Sequence, residues 1–139
     1  MWTLAERKSR VILGDVGFLA DADGIEIGWH LRRESWGLGY ATEAARACLT
    51  YGLSELGFHR VSAYVETANA ASVRVINKLG MSFARTGADG VPPWAEYAID
   101  RASATRRAAC DRRSVGAARH DGSGRPDLLK ARRQEQARA

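Results

Sequence analysis

Hydrophobic and polar positions change their period several times along the first hundred residues, and each change marks an element. The runs "WTLAER" and "VILGDVGFL" are short, apolar and broken by turn-compatible residues, which predicts two antiparallel strands joined around residues 7–10. "GIEIGWHL" alternates cleanly, with Ile25, Ile27, Trp29 and Leu31 on one face and Glu26, Gly28 and His30 on the other. The period then lengthens. Ala41, Ala44, Ala45, Cys48, Leu49, Gly52, Leu53 and Leu56 recur every three or four residues, and Gly57 stands where a helix C-terminus favours positive φ, so a helix of about four turns is expected. "HRVSAYVE" alternates again. "NAASVRVINKLG" predicts a shorter helix with Asn69 as N-cap, an apolar stripe of Val73, Ile76 and Leu79, and a stop at Gly80. "MSFARTG" and "WAEYAID" complete the series as a hairpin around "ADGVPP". Strand, turn, helix, strand is a βαβ unit, so the two strands it joins are expected to be parallel.

Composition limits what this series can build. A chain of 139 residues, 45% of them hydrophobic, suffices for one domain with a core. No stretch approaches the eighteen or so apolar residues of a membrane span, and the N-terminus lacks a signal peptide's basic-then-apolar order, so a cytoplasmic protein is expected. Cys48 and Cys110 resemble neither a disulfide framework nor a metal-spaced cluster; both are expected as free thiols, with no metal site.

The net charge of +5 hides a division near residue 100. Residues 1–100 hold ten Lys/Arg against twelve Asp/Glu, a net −2, whereas residues 101–139 hold eleven against four, a net +7. The basic, Arg/Ala-rich segment 101–139 has no aromatic residue and few large aliphatics, so it is expected to be a disordered tail. No aromatic platform or recognition helix accompanies its arginines, which favours a solvated tail over a nucleic-acid partner.

Candidate chemistry lies in "WGLGYATE", where two glycines precede the long helix. A helix N-terminus offers unpaired N–H groups and partial positive charge, and a loop of small residues lets a phosphate approach them. Gly37 and Gly39 fit either such an anion site or a tight strand-to-helix turn. The dinucleotide fingerprint is not met, because Thr42 holds its sixth position, and no G-K-[ST] follows for a P-loop.

"EIGWHLRRESWGLGYATEAARA", followed by "ETANAASVRVINKLGM", resembles the GNAT superfamily of acetyl-CoA-dependent N-acetyltransferases, in particular its RimJ/RimL-like branch, over roughly residues 2–100. The resemblance implies an α/β (α+β) domain over residues 1–100, GNAT-like, with a mixed, mostly antiparallel sheet, a central βαβ unit and splayed parallel strands. It also implies that the family's first strand and helices are lacking here. It places the diphosphate of acetyl-CoA, the co-substrate, on Trp36, Gly37, Leu38, Gly39, Tyr40, Ala41 and Thr42. The pantetheine arm falls along the backbone of Trp29, His30 and Leu31, and near Asn69 and Ser72. Glu34 replaces the Gln or Arg that often opens the loop.

Acetyl transfer needs a base for the ammonium proton of the acceptor and an acid for the departing thiolate. Glu26 matches the position of a glutamate base in several relatives, and its Ile25 and Ile27 neighbours can raise its pKa by desolvation; an ordinary strand glutamate is the competing reading. His30 is the reserve base. The family's tyrosine acid is replaced by Ile76, leaving Ser72 as the hydroxyl able to donate to sulfur, or simply to cap its helix. The expected acceptor is an amine, either a small molecule or a protein N-terminus, acted on by a monomer or homodimer with no membrane partner. A catalytically weak acetyl-CoA-binding remnant is the competing expectation.

Overall fold

The computed structural model describes residues 1–87, 92–114 and 132–133. Strands β1 (Trp2–Ala5), β2 (Ile12–Asp21) and β3 (Gly24–Leu31) form a meander; helix α1 (Tyr40–Ser54) leads to β4 (Arg60–Glu66), and α2 (Ala70–Leu79) leads to the hairpin β5 (Ser82–Gly87) and β6 (Trp94–Asp100). Helix α3 (Arg101–Ser114) and the two-residue strand β7 (Arg132–Arg133) follow. The sheet order is β5-β6-β4-β3-β2-β1-β7. Among the described residues every pairing is antiparallel except β3 with β4, which are parallel and in register at one position, Glu26 opposite Ser62. The mixed, mostly antiparallel sheet with splayed parallel strands is therefore the fold expected of a GNAT-like chain.

The elements follow from side chains with few exceptions. In β4, Val61, Ala63 and Val65 are buried on one face while Ser62 and Tyr64 are half-buried on the other, as the alternation requires. Ala44, Ala45, Cys48, Leu49 and Leu53 line the inner stripe of α1. They meet Ile27, Val61 and Ile76, each at most 2% exposed, in one continuous core. At Gly52, a Cβ would come within 2.5 Å of the Phe18 ring, so only glycine lets α1 lie this close to β2. Asn69 caps α2 by accepting the Ser72 N–H at 3.1 Å, and Gly80 ends it at φ 79°.

One expectation is corrected. Residues 101–114 are helical, not disordered. Alanine and arginine rank high in helix propensity, and the segment continues directly from β6. Its first turn is anchored, with Arg101 N–H donating to the His59 carbonyl at 2.9 Å, Arg101 Nε to the Phe58 carbonyl at 3.2 Å, and Ala104 packed on the core. Most of the turn expected around "ADGVPP", residues 115–131 and 134–139 of the tail, and the side chain of Cys110 lie outside the described residues.

Candidate functional site

Beyond Glu26 and Ser62, β3 and β4 are no longer in register, so the peptide groups of their later residues face a gap instead of a ladder partner. At the end of β3 the chain turns through a 3₁₀ turn, Arg33–Ser35, whose Ser35 is buried. The turn is tied back to the sheet: Arg32 N–H donates to the Leu13 carbonyl at 2.8 Å and Trp36 Nε1 to the Leu31 carbonyl at 2.9 Å. Gly37 and Gly39 then take φ of 73° and 86°. A side chain there costs about 1–2 kcal/mol in backbone strain. A Cβ at either glycine would meet no protein atom within 4 Å, so these glycines serve backbone conformation and leave the space before the loop open.

Gly39 is the N-cap of α1 and supplies no side-chain cap. The first N–H groups of the helix have no intrahelical acceptor and carry its partial positive charge. They open into a cleft of about 370 Å³. Most of the expected cofactor residues come together there: Trp29, His30 and Leu31 from β3, the loop residues Trp36, Gly37, Gly39, Tyr40, Ala41 and Thr42, and Asn69 and Ser72 from α2. Leu38 stands apart, 66% exposed at the tip of the loop. Glu26 also lies outside the lining, three residues before Trp29 on β3 and half-buried.

Several partners refine individual roles. Tyr40 Oη lies 3.4 Å from Glu6 Oε1, and burial together with that carboxylate pushes the phenol pKa above its ordinary value, so it stays neutral. His30 Nδ1 is 3.1 Å from Asp15 Oδ1 on the surface, a pair that holds the imidazole toward β2. Ile76, where the family resemblance implies an acid, is 1% exposed within the core. Cys48 is buried, and burial pushes its thiol up to about 12. Among the described residues, no group of three or more His, Cys, Asp or Glu side chains is placed to hold a metal, and no helix is long and apolar enough to cross a membrane.

Two features escaped the sequence reasoning. Arg74 and Lys78 line the cleft from successive turns of α2, and a shallow groove runs on from it between Thr42, Arg46 and Lys78. Arg46 Nη2 donates to the Lys78 carbonyl at 2.9 Å, fixing a cation at the C-terminus of α2. The i, i+4 spacing of Arg74 and Lys78 was visible in the sequence, but nothing there distinguished it from a solvated helix face. The other feature is Glu96 on β6, whose side chain is only 9% exposed. Ser62 Oγ donates to its Oε1 at 2.8 Å and Arg85 Nε to its Oε2 at 2.6 Å. The Arg85 bond holds this carboxyl below the usual carboxylate range against the opposing effect of burial.

An uncapped helix N-terminus behind a glycine loop, a cationic rim and a gap between parallel strands together suit a long ligand with a phosphate end and an amide-bearing arm. The family model described as "Acetyltransferase (GNAT) domain" matches residues 1–82. Protein YkkB of Bacillus subtilis is 38% identical over 90 residues, covering 62% of this chain and 52% of its own. YoaA of the same organism, named an uncharacterized N-acetyltransferase, is 37% identical over 82 residues, covering 57% and 46%. The crystal structure of a GNAT-family acetyltransferase from Bacillus anthracis superposes with a TM-score of 0.65 at 29% identity, covering 70% of this chain and 64% of that one. The chain thus spans about half the length of the curated relatives it matches. Since the family model covers more than half of the chain, and the splayed strands β3 and β4 and the glycine loop lie within that match, the chain belongs to the acetyltransferase (GNAT) domain family.

Proposed function

We propose that the chain transfers the acetyl group of acetyl-CoA to a primary amine, on a small molecule or a protein N-terminus, by direct attack in a ternary complex. The observation that carries this reading is the single cleft in which the open N-terminus of α1, the ends of the splayed strand β3 and the start of α2 converge. Residues 1–100 perform the reaction in this reading, and "NAASVRVINKLG" supports assignment to the RimJ/RimL-like branch.

When bound, acetyl-CoA supplies an activated acyl group as its thioester. The chain's own groups divide the remaining work. The loop over residues 36–42 and the first turn of α1 hold the diphosphate through backbone N–H groups. Peptide groups of Trp29, His30 and Leu31 bond the amide-bearing arm as a strand bonds its neighbour. Asn69 performs two tasks, because its Oδ1 already accepts from Ser72 N–H while its amide NH2 can donate to the arm. Glu26 takes the proton of the incoming ammonium, and the Ser72 hydroxyl donates to the leaving sulfur.

Initial rates with acetyl-CoA against spermidine, and against a tetrapeptide with a free N-terminus, test this. Direct attack predicts an intersecting two-substrate pattern, and Glu26→Gln should lower kcat by about 10²–10⁴-fold. A folded chain that binds acetyl-CoA and acetylates neither amine would instead be a cofactor-binding remnant.

A further inference from the structure

The sheet face bearing Glu26 holds a second polar device that the acetyl-transfer roles above do not use. Glu26 and Ser62 are opposite each other at the one point where β3 and β4 are in register, so their side chains project from the same face. Ser62 pairs in turn with Ala98 of β6, and Glu96 lies two residues away on that same face. Residues of β3 lead from this vertex to the cleft: Trp29 is three residues beyond Glu26, about 10 Å along the strand. The vertex is thus the closed end of the gap, within reach of a ligand arm running between the strands.

The hydrogen bonds at the vertex have a fixed polarity. Glu96 is nearly buried and ionised, so it can only accept, and the Ser62 hydroxyl hydrogen is committed to it at 2.8 Å. Arg85 locks the other carboxylate oxygen at 2.6 Å and is itself held over the Trp94 ring, 5.4 Å from its centroid. With its hydrogen so committed, Ser62 Oγ presents only lone pairs to the sheet face. A lone pair beside a carboxylate suits a group that brings N–H bonds, and a primary ammonium or amine brings two or more.

We infer that Ser62 Oγ accepts a hydrogen bond from the acceptor amine at the vertex and orients it toward the reacting carbonyl, with Glu96 and Arg85 as positioning residues that act through Ser62. This rests on the acetyl-transfer reading, and it adds the group that orients the nucleophile to Glu26, which deprotonates it. No proton is transferred through Ser62: one N–H of the amine stays bonded to it, another proton passes to Glu26, and the nitrogen lone pair attacks.

The test is steady-state kinetics of the full chain with spermidine and the tetrapeptide, with acetyl-CoA affinity measured alongside. Ser62→Ala should lower kcat/KM for the amine about tenfold, the size of one lost hydrogen bond to a charged donor, and leave acetyl-CoA affinity unchanged. Ser62→Thr, which keeps the hydroxyl, should restore most of the loss. Glu96→Gln should act in the same direction: Arg85 keeps the amide oxygen, the amide NH2 turns to Ser62, and the serine hydrogen is released outward. Combined with Ser62→Ala, it should add little. Glu96 is buried, so the two serine variants decide the matter if Glu96→Gln does not fold. A Ser62→Ala enzyme within twofold of wild type, a loss shared equally by acetyl-CoA binding, or multiplicative losses in the double variant would each overturn the inference. If wild type binds no acetyl-CoA, or binds it and acetylates neither amine, the acetyl-transfer reading is refuted first and this inference with it.

Discussion

Substitution of Gly39 separates the two things the glycine loop does. At φ 86° and ψ −3°, Gly39 is left-handed, and a Cβ there would meet no protein atom within 4 Å. Gly39→Ala therefore costs backbone strain alone, about 1–2 kcal/mol. At about 2–8 °C per kcal/mol for a chain of this length, Tm should fall by about 2–16 °C. Gly39→Gln and Gly39→Glu carry the same strain but differ in charge. A carboxylate at the mouth of the helix N-terminus repels a diphosphate nearby. Unit charges 4 Å apart interact by about 1 kcal/mol in water and about 4 kcal/mol near a protein surface, so a penalty of about 2–4 kcal/mol is expected. That is about 30- to 1,000-fold in affinity beyond the glutamine variant. Calorimetric titration with acetyl-CoA at low salt reads the difference, which should shrink as salt rises. Equal affinities for Gly39→Gln and Gly39→Glu would refute the assignment of the loop to an anion, and a Gly39→Glu protein that binds like wild type would refute it more severely.

Charge reversal of the cationic rim, Arg74→Glu with Lys78→Glu, should weaken acetyl-CoA at least tenfold at low salt and leave acetyl-pantetheine, which lacks the nucleotide, nearly unaffected; equal losses for both ligands would contradict this placement. The Glu96 carboxyl is held below its usual range, so its contribution to stability is complete above the ordinary carboxylate pKa and is lost as pH falls through the lowered folded-state value. Acid unfolding followed by circular dichroism should accordingly flatten in that range for Glu96→Gln, and an unchanged slope would count against the Arg85 and Ser62 bonds. With its thiol pushed up to about 12 and buried on the inner stripe of α1, Cys48 should resist iodoacetamide in the native protein and react on unfolding, as peptide mass spectrometry would show.

How far the sequence reached depended on the range of the interactions involved. Period-two and period-3.6 patterns are local, so β3, β4, α1 and α2 are legible in the sequence, down to the Asn69 cap and the Gly80 stop, although α1 ends at Ser54 and leaves Leu56, expected in its apolar stripe, exposed. Helix α3 carries no apolar stripe to mark it in the sequence; its helix-forming alanines and arginines and the anchoring of Arg101 to Phe58 and His59 hold it. The Glu96, Ser62 and Arg85 network joins three strands, and no spacing in the chain predicts which carboxylate will be buried beside which hydroxyl. Arg46 reaches the end of α2 only because α1 and α2 pack side by side. The glycine loop lay between these extremes: its two glycines left an anion site and a tight turn equally open, and the structure shows the turn geometry and the open space before it together.

The most direct test of the account is transfer itself. The full chain is incubated with acetyl-CoA labelled in the acetyl group, together with spermidine or the tetrapeptide, and label is followed onto nitrogen. The account predicts labelled amide formed in step with free CoA thiol, with the rate lowered about 10²–10⁴-fold by Glu26→Gln. A folded chain that retains acetyl-CoA in its cleft and moves no label to either amine would contradict it.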